Sequence, residues 1–196
     1  MNRVIATDYE RYYDTGPNIY LKIPKCASTS IVEATGAEHV TEVSEGREAW
    51  TAVRNPYSRL VSCWADRVCN DIPFRNTWKS DWDYWKGKIT KGMPFDAFVD
   101  VVIDTPNQMC NCHFAPATYL IKHSGFDYVE WYRVENAEEW WPPLAEICGY
   151  EKKLPVKKAS SHDNYEDDYT PELRDKVRKR YALDFQAFGY ACGGLL

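Results

Sequence analysis

Two short stretches of this 196-residue chain carry residues whose types and order suit them to hold phosphate. The first is Pro24-Lys25-Cys26-Ala27-Ser28-Thr29-Ser30. It follows the β-rich run Ile19-Tyr20-Leu21-Lys22-Ile23 and leads into a helical stretch over residues 29–35 that Gly36 is placed to stop. A strand that turns directly into a helix aims several N–H groups at one spot, and the helix dipole adds positive potential there. Lys25 contributes a point charge, and Ser28, Thr29 and Ser30 contribute hydroxyl donors. Together these make a phosphate cradle without a glycine-rich loop. The pattern G-x-x-x-x-G-K-[ST] is not present, because the lysine precedes the hydroxyl residues, and no carboxylate stands out to hold a phosphate-bound magnesium ion. Taken by itself, the segment reads equally well as a Ser/Thr-capped helix after a strand.

The second stretch is Val53-Arg54-Asn55-Pro56-Tyr57-Ser58-Arg59-Leu60-Val61-Ser62. Arg54 closes a strand, and Ser62 lies two turns into the succeeding helix, so the two can converge on one phosphate. Arg59, in the first turn, is a further candidate. The plain alternative is that Arg54 and Arg59 make surface ion pairs, which contribute little.

Positioning these residues requires an alternation of strands and helices. The turn signal Gly16-Pro17-Asn18 precedes the first strand, leaving residues 1–17 as an N-terminal extension. Strands are expected at 39–43 and 50–53. Helical spacing runs over 57–68, with Leu60, Val61, Trp64 and Val68 on one side, and again over 94–104. Residues 119–122 and 128–132 read as strands. Residues 137–148 read as a helix that must keep Pro142-Pro143 near its first turn or bend. A last helix starts at Pro171, capped by Thr170, and runs to about Phe188. Residues 71–93 form an aromatic-rich irregular segment, a lid or acceptor-site element; Trp78, Trp82, Tyr84 and Trp85 would either stack on sugar rings or pack a subdomain. The expectation is a single α/β domain over 1–196, with a mainly parallel β-sheet flanked by helices.

Composition narrows the class. A hydrophobic fraction of 44% and a charged fraction of 27% are those of a globular chain. A net charge of −5 disfavours a nucleic-acid binder, which needs a basic excess. It leaves a small anion open as ligand, since a few placed cations and a helix N-terminus suffice. The 7 Cys are odd in number and irregularly spaced, against a disulfide framework. With no early apolar run and no membrane-length segment, a cytoplasmic, anchor-free protein is expected. Oligomeric state is left open.

The two phosphate-holding stretches, in this order and separation, resemble the PAPS-dependent sulfotransferases, specifically the carbohydrate branch. That family has a P-K-x-G-x-T-S loop and a later R-[DN]-P-[FY]-x-R-L-x-S segment. Pro24, Lys25, Thr29 and Ser30 match the first; Arg54, Pro56, Tyr57, Arg59, Leu60 and Ser62 match the second. Residues 107–118 are similar to the family's H-[FW]-x-P-Q region, 128–136 to its strand ending in Phe-Glu (here Val134-Glu135), and 181–190 to its Y-x-x-D-[FY]-x-x-[FL]-[GN]-Y close. Ala27 and Ala117 depart from the common Gly and Gln.

The resemblance implies a P-loop-NTPase-like sulfotransferase fold. It also implies 3′-phosphoadenylyl sulfate (PAPS) as donor, adenosine 3′,5′-bisphosphate (PAP) as product, no metal, and a hydroxyl acceptor, carbohydrate by branch. A lipid-linked sugar, a phenol or alcohol, or a peptide tyrosine stays open as acceptor. Lys25 would meet the charge developing on the leaving phosphate oxygen. Cys26, Ala27, Ser28, Thr29 and Ser30 would hold the 5′-phosphate, and Arg54 with Ser62 the 3′-phosphate. His113 is the first choice for the base that takes the acceptor proton, with Glu33 and Glu135 as rivals and a structural hydrogen-bonding role as the plain reading. His162 would sit on a late loop closing over the nucleotide. Cys110-x-Cys112-His113 lacks a second ligand pair at zinc-finger spacing. Cys26 reads more simply as a small filler than as a reactive thiol. The basic run 152–158 reads as a solvated connector. Two alternatives stand: a P-loop-like small-molecule kinase, and a non-catalytic nucleotide-binding protein on the same scaffold.

Overall fold

The computed structural model describes residues 11–70, 82–151, 153–155 and 165–191. Its strands are β1 (Tyr12–Asp14), β2 (Ile19–Leu21), β3 (Glu38–Val40), β4 (Ala49–Val53) and β5 (Val129–Arg133). Its α-helices are α1 (Ser28–Thr35), α2 (Pro56–Trp64), α3 (Trp82–Trp85), α4 (Phe95–Asp104), α5 (Ala117–Lys122), α6 (Ala137–Cys148), α7 (Pro171–Arg180) and α8 (Ala182–Ala187). The chain divides into two compact units, one from residues 1–54 and 117–159, the other from 55–116 and 160–196.

The first unit holds the sheet, in the order β3-β1-β2-β4-β5. β2, β4 and β5 run parallel, while β1 is antiparallel to both β2 and β3. The α/β class therefore stands, with a mixed five-stranded sheet. Side chains alternate between the faces, as the strand period of two requires. Ile19, Leu21, Ala49 and Val129 form one buried cluster, with Ile121 and Phe126 packed against it. On the alternate positions Tyr20 lies 4.8 Å from Trp50, and Tyr132 stacks on Trp140 at 4.9 Å. The parallel pair β4–β5 is in register over five residues, Ala49 to Val53 against Val129 to Arg133.

Two expectations need correction here. Residues 12–14 are not part of an extension: β1 and β2 form a hairpin across Thr15-Gly16-Pro17-Asn18, closed by Thr15 N–H donating to Asn18 O at 3.1 Å, with Gly16 at φ 90. The turn was legible, but its first arm, Tyr12-Tyr13-Asp14, is too short to show alternation. Residues 119–122 are not a strand but belong to α5, which buries Ala117 and Leu120, three residues apart as one helical face requires. Tyr119-Leu120-Ile121 has strand-like composition, yet Pro116 just upstream suits a helix start, and tertiary contact fixes the outcome. Arg11 donates to the Leu120 carbonyl and, at 3.0 Å, to the His123 carbonyl, and Tyr12 Oη to Ser124 O at 2.7 Å, so the end of α5 is capped by the sheet's first strand and the residue before it.

The second unit is helical. Asn55 caps α2, its Oδ1 accepting from Tyr57 N–H at 3.0 Å, and Pro56 occupies the first turn where its missing N–H costs nothing. Seven of the α2 residues from Pro56 to Cys63 are buried. The helix expected over 57–68 continues past Trp64 as a π-helical turn, Ala65–Cys69. The last helix is two: α7 ends at Arg180, and Tyr181, at φ −108 and ψ 25, breaks it before α8. Thr170 caps α7 as expected, accepting from Leu173 N–H at 3.2 Å. Of the segment 71–93, residues 71–81 with Trp78 lie outside those described, as does the Trp82 side chain. Trp85 is fully buried, edge-on to Phe114 at 5.1 Å, so it packs the unit and has no face to offer a sugar. Tyr84 instead carries Lys88 over its ring, 3.4 Å from the centroid.

Candidate functional site

The cradle residues sit in the first unit, at the junction of β2 and α1. Lys25 (φ 69) and Ala27 (φ 55) are the two non-glycine residues with left-handed backbones among those described. Each such conformation costs a non-glycine residue about 1 kcal/mol, so a pair of them two residues apart must be held by its surroundings. Ile23 and Cys26, both fully buried, provide that anchorage. Cys26 thus has no exposed surface of its own in the loop. Alternating backbone handedness turns successive N–H groups toward one concavity, the geometry of an anion nest. α1 starts directly from Ala27 (ψ 19) with no side-chain cap hydrogen bond and no acidic residue in its first turn. Its N-terminal N–H groups and dipole are thus left for an anion. Ser30, Ile31 and Ala34 are buried and root the helix, while Thr29 is exposed and Lys25 and Ser28 are half-buried.

Arg54 is brought to the same place. It follows β4, and its Nη1 donates to the Lys25 carbonyl over a long 3.4 Å. The backbone loop and the guanidinium are thereby adjacent within one unit, which suits a dianionic or bis-anionic ligand. Parallel pairing of β2 with β4 aligns the two strand ends that carry Lys25 and Arg54, and Thr51 Oγ1 donating to Leu21 O at 2.6 Å locks that register.

Of the other expected residues, Glu33 and Glu135 also belong to the first unit, Ser62, Arg59 and His113 to the second, and His162 lies outside the described residues. Ser62 is half-buried on α2. Arg59 is neither a phosphate ligand nor a surface ion pair: it is 3% exposed and donates to Ala115 O at 2.7 Å and Cys112 O at 3.0 Å. Arg180 holds the other end of that segment, donating to Val102 O at 3.2 Å, Thr105 O at 3.0 Å, Asn107 Oδ1 at 2.6 Å and Cys110 Sγ at 3.1 Å. Tyr181 Oη donates to Phe114 O at 2.6 Å. Two arginines and a phenol thus pin residues 105–115, a stretch with little regular structure of its own.

That framework presents His113. Asn111 Oδ1 receives His113 Nδ1 at 2.6 Å and the His113 backbone N–H at 3.1 Å, and Nε2 contacts Arg67 Nη2. Arg67 comes from the π-helical turn, with its Nε 3.3 Å from Asp66 Oδ2. Asn111 and Arg67 were not singled out from sequence; the available signals were the Asn-x-His spacing and the cation two turns after Arg59. Glu33 and Glu135 are both exposed. His162 lies outside the described residues. Cys110 is turned to Arg180 and Thr105 O, and burial pushes its thiol up against the opposing pull of Arg180; Cys112 Sγ lies 3.4 Å from His113 Nδ1. The two sulfurs therefore have different partners.

Residues 38–191, well over half of the chain, match the sequence profile described as the Sulfotransferase family. The chain belongs to the sulfotransferase family. Comparison with curated proteins and with solved structures returned no match. Arg54, Ser62 and His113 fall within the matched residues, while residues 24–30 lie upstream of them. The match makes this an enzyme family member, implies PAPS as donor, and favours sulfuryl transfer over the small-molecule kinase alternative. Among the described residues no helix is long and apolar enough to cross a membrane.

Proposed function

We propose that this sulfotransferase moves the sulfuryl group of PAPS to a hydroxyl of a carbohydrate acceptor, with the nucleotide's 5′-phosphate in the Lys25–Ser30 nest. The observation that carries the reading is the pair of left-handed residues, Lys25 and Ala27, opening onto an uncapped helix N-terminus with Arg54 at their backbone. Backbone strain held at that point by the buried neighbours supports a preorganised anion nest. The Ser28, Thr29 and Ser30 hydroxyls and the N–H groups from Ala27 onward hold the phosphate. Lys25 stabilises charge gathering on the bridging oxygen as the S–O bond breaks, and Arg54 takes the 3′-phosphate. His113 receives the acceptor's proton. The donor supplies an activated sulfuryl group; the chain supplies alignment and charge. The carbohydrate acceptor follows from the motif resemblance and is tested separately.

Calorimetric titration of PAP, beside ATP and 5′-AMP and with Arg54→Ala as control, tests the nucleotide site. Preference for PAP, weakened about 10- to 100-fold in Arg54→Ala and indifferent to magnesium, supports the reading. Preference for ATP that depends on magnesium overturns it. A screen of saccharide, phenol and tyrosyl-peptide hydroxyls with labelled PAPS then decides the acceptor; turnover confined to phenols would refute the carbohydrate assignment.

A further inference from the structure

Strands that run parallel all end on one side of their sheet, and ligands of such sheets bind outside those carboxyl ends. Three strands of the first unit, β2, β4 and β5, end there together, and a cation stands at each end. β2 runs into the nest that holds Lys25, β4 is followed directly by Arg54, and β5 closes on Arg133. Three cations share this sheet edge in a chain whose net charge is −5.

Register fixes where Arg133 lies. It pairs with Val53, the residue before Arg54, at the end of a ladder that starts at Ala49 and Val129. Neighbouring strands stand about 4.8 Å apart. The Arg133 backbone is therefore one strand across from Arg54 and one residue short of its level, a gap that an arginine side chain covers. Its own backbone is held: Trp140 Nε1 donates to Arg133 O at 2.7 Å, and the chain turns at once into the 3-10 turn Val134–Asn136. Tyr132 stacks on Trp140, so strand alternation sends Arg133 to the opposite face, that of Val53 and buried Val129. The side chain is half-buried there. Glu135, the nearest carboxylate along the chain, is exposed, where water and salt screen its charge.

A phosphate dianion is matched better by two guanidiniums than by one, and Arg54 already spends Nη1 on the Lys25 carbonyl. We propose that Arg133 shares the 3′-phosphate with Arg54 and thereby sets the preference for a nucleoside 3′,5′-bisphosphate over a 5′-monophosphate. This role rests on the proposed nucleotide site and adds a residue to it. The ligand's two phosphates then follow the strand ends in order, the 5′ group at the β2–α1 junction and the 3′ group across the ends of β4 and β5. Arg133 takes no part in the transfer itself; it is a binding residue, and the leaving oxygen is met by Lys25.

Calorimetric titration of the whole chain with PAP and with 5′-AMP tests the assignment in wild type, Arg133→Gln and Arg133→Lys, two substitutions that keep a long polar side chain at the strand end. Arg133→Gln should weaken PAP about 10- to 100-fold and leave 5′-AMP within about twofold, since only the bisphosphate has the group that Arg133 meets. Arg133→Lys should recover part of the loss, because an ammonium keeps the charge without the planar fork. In 31P NMR of bound PAP, the 3′-phosphate resonance should differ between wild type and Arg133→Gln while the 5′-phosphate resonance stays in place. Unchanged PAP affinity in Arg133→Gln overturns the proposal. So does an equal loss of PAP and 5′-AMP, which would mark Arg133 as a residue that only holds the strand end. A wild type that does not prefer PAP to 5′-AMP sinks the nucleotide reading itself, whereas a preference kept in the wild type and in both variants sinks the role of Arg133 alone.

Discussion

Replacing Ala27 by glycine should stabilise the protein, against the general rule that added glycine destabilises. Ala27 sits at φ 55 and ψ 19 as the residue from which α1 starts. Relief of the left-handed clash contributes about 1 kcal/mol, and glycine is also the better N-cap by a few tenths to about 0.5 kcal/mol. Added freedom in the unfolded chain takes back about 0.4–1 kcal/mol. The remainder, roughly 0.5 kcal/mol, raises the melting temperature by about 1–2 °C in a chain of this size. Ala27→Val moves the other way, since a β-branched side chain tolerates this region least, and should lose on the order of 1–2 kcal/mol. Thermal unfolding followed by circular dichroism with and without PAP reads both effects. The glycine variant should keep its PAP affinity, because the donors of the nest are backbone N–H groups. A glycine variant that melts several degrees lower, or a valine variant indistinguishable from the wild type, would refute the left-handed assignment and with it the nest.

Arg59→Lys should fail to replace Arg59, because an ammonium cannot serve the Ala115 and Cys112 carbonyls together; a loss of about 2–4 kcal/mol in urea unfolding is expected, and a loss below about 1 kcal/mol would contradict the pinning role. Tyr181→Phe removes only the hydroxyl that donates to Phe114 O and should lose about 1–2 kcal/mol by the same assay. Burial raises the phenols of Tyr20, Tyr169 and Tyr181 above the ordinary value of 10.0. A raised folded value means stability is fully present below about pH 10 and is lost above it, where the unfolded chain releases protons that the native state retains; ultraviolet absorbance of the phenolate should show these phenols ionising only with unfolding. The Arg47 guanidinium, 2.9 Å from Asp14 Oδ1, lowers that carboxyl below its ordinary value of 3.8. Its contribution is therefore present above that value and fades as pH falls through the lower folded one, and Arg47→Gln should move the Asp14 titration, read by carboxyl 13C NMR, up toward the ordinary range, with the Gly16 N–H still holding it partly down.

Local rules read much of this molecule from sequence. Asn55-Pro56 and Thr170-Pro171 announce helix starts through capping oxygens and a proline whose missing N–H is harmless, and Gly36 stops α1 at φ 62. The strand-to-helix junction at 24–30 was legible from Pro24 ending the β-rich run and Gly36 stopping the helix, whereas its left-handed backbone at Lys25 and Ala27 was not. Elements fixed by distant partners were not. β1 exists because β2 and β3 flank it, and α5 because Arg11 takes its last carbonyls; neither partnership leaves a mark in a three- or six-residue window. Arg59 looked like an anion ligand since sequence shows charge without burial. Arg67 and Asn111 were passed over because their meaning depends on the ring of His113, brought to Arg67 by folding.

The sheet is stitched from chain segments made far apart in time. β4 is finished when residue 53 leaves the ribosome, yet its partner β5 begins at residue 129, after the whole run of 55–116 has been synthesised. At the usual pace of translation that interval is on the order of 5–15 s. During it the emerging β4 edge, with Trp50 and Val53, has bare backbone groups available to any passing strand. Slow synthesis should therefore favour misassembly, and a holdase chaperone acting at that stage should raise the yield of native enzyme more than one supplied after release.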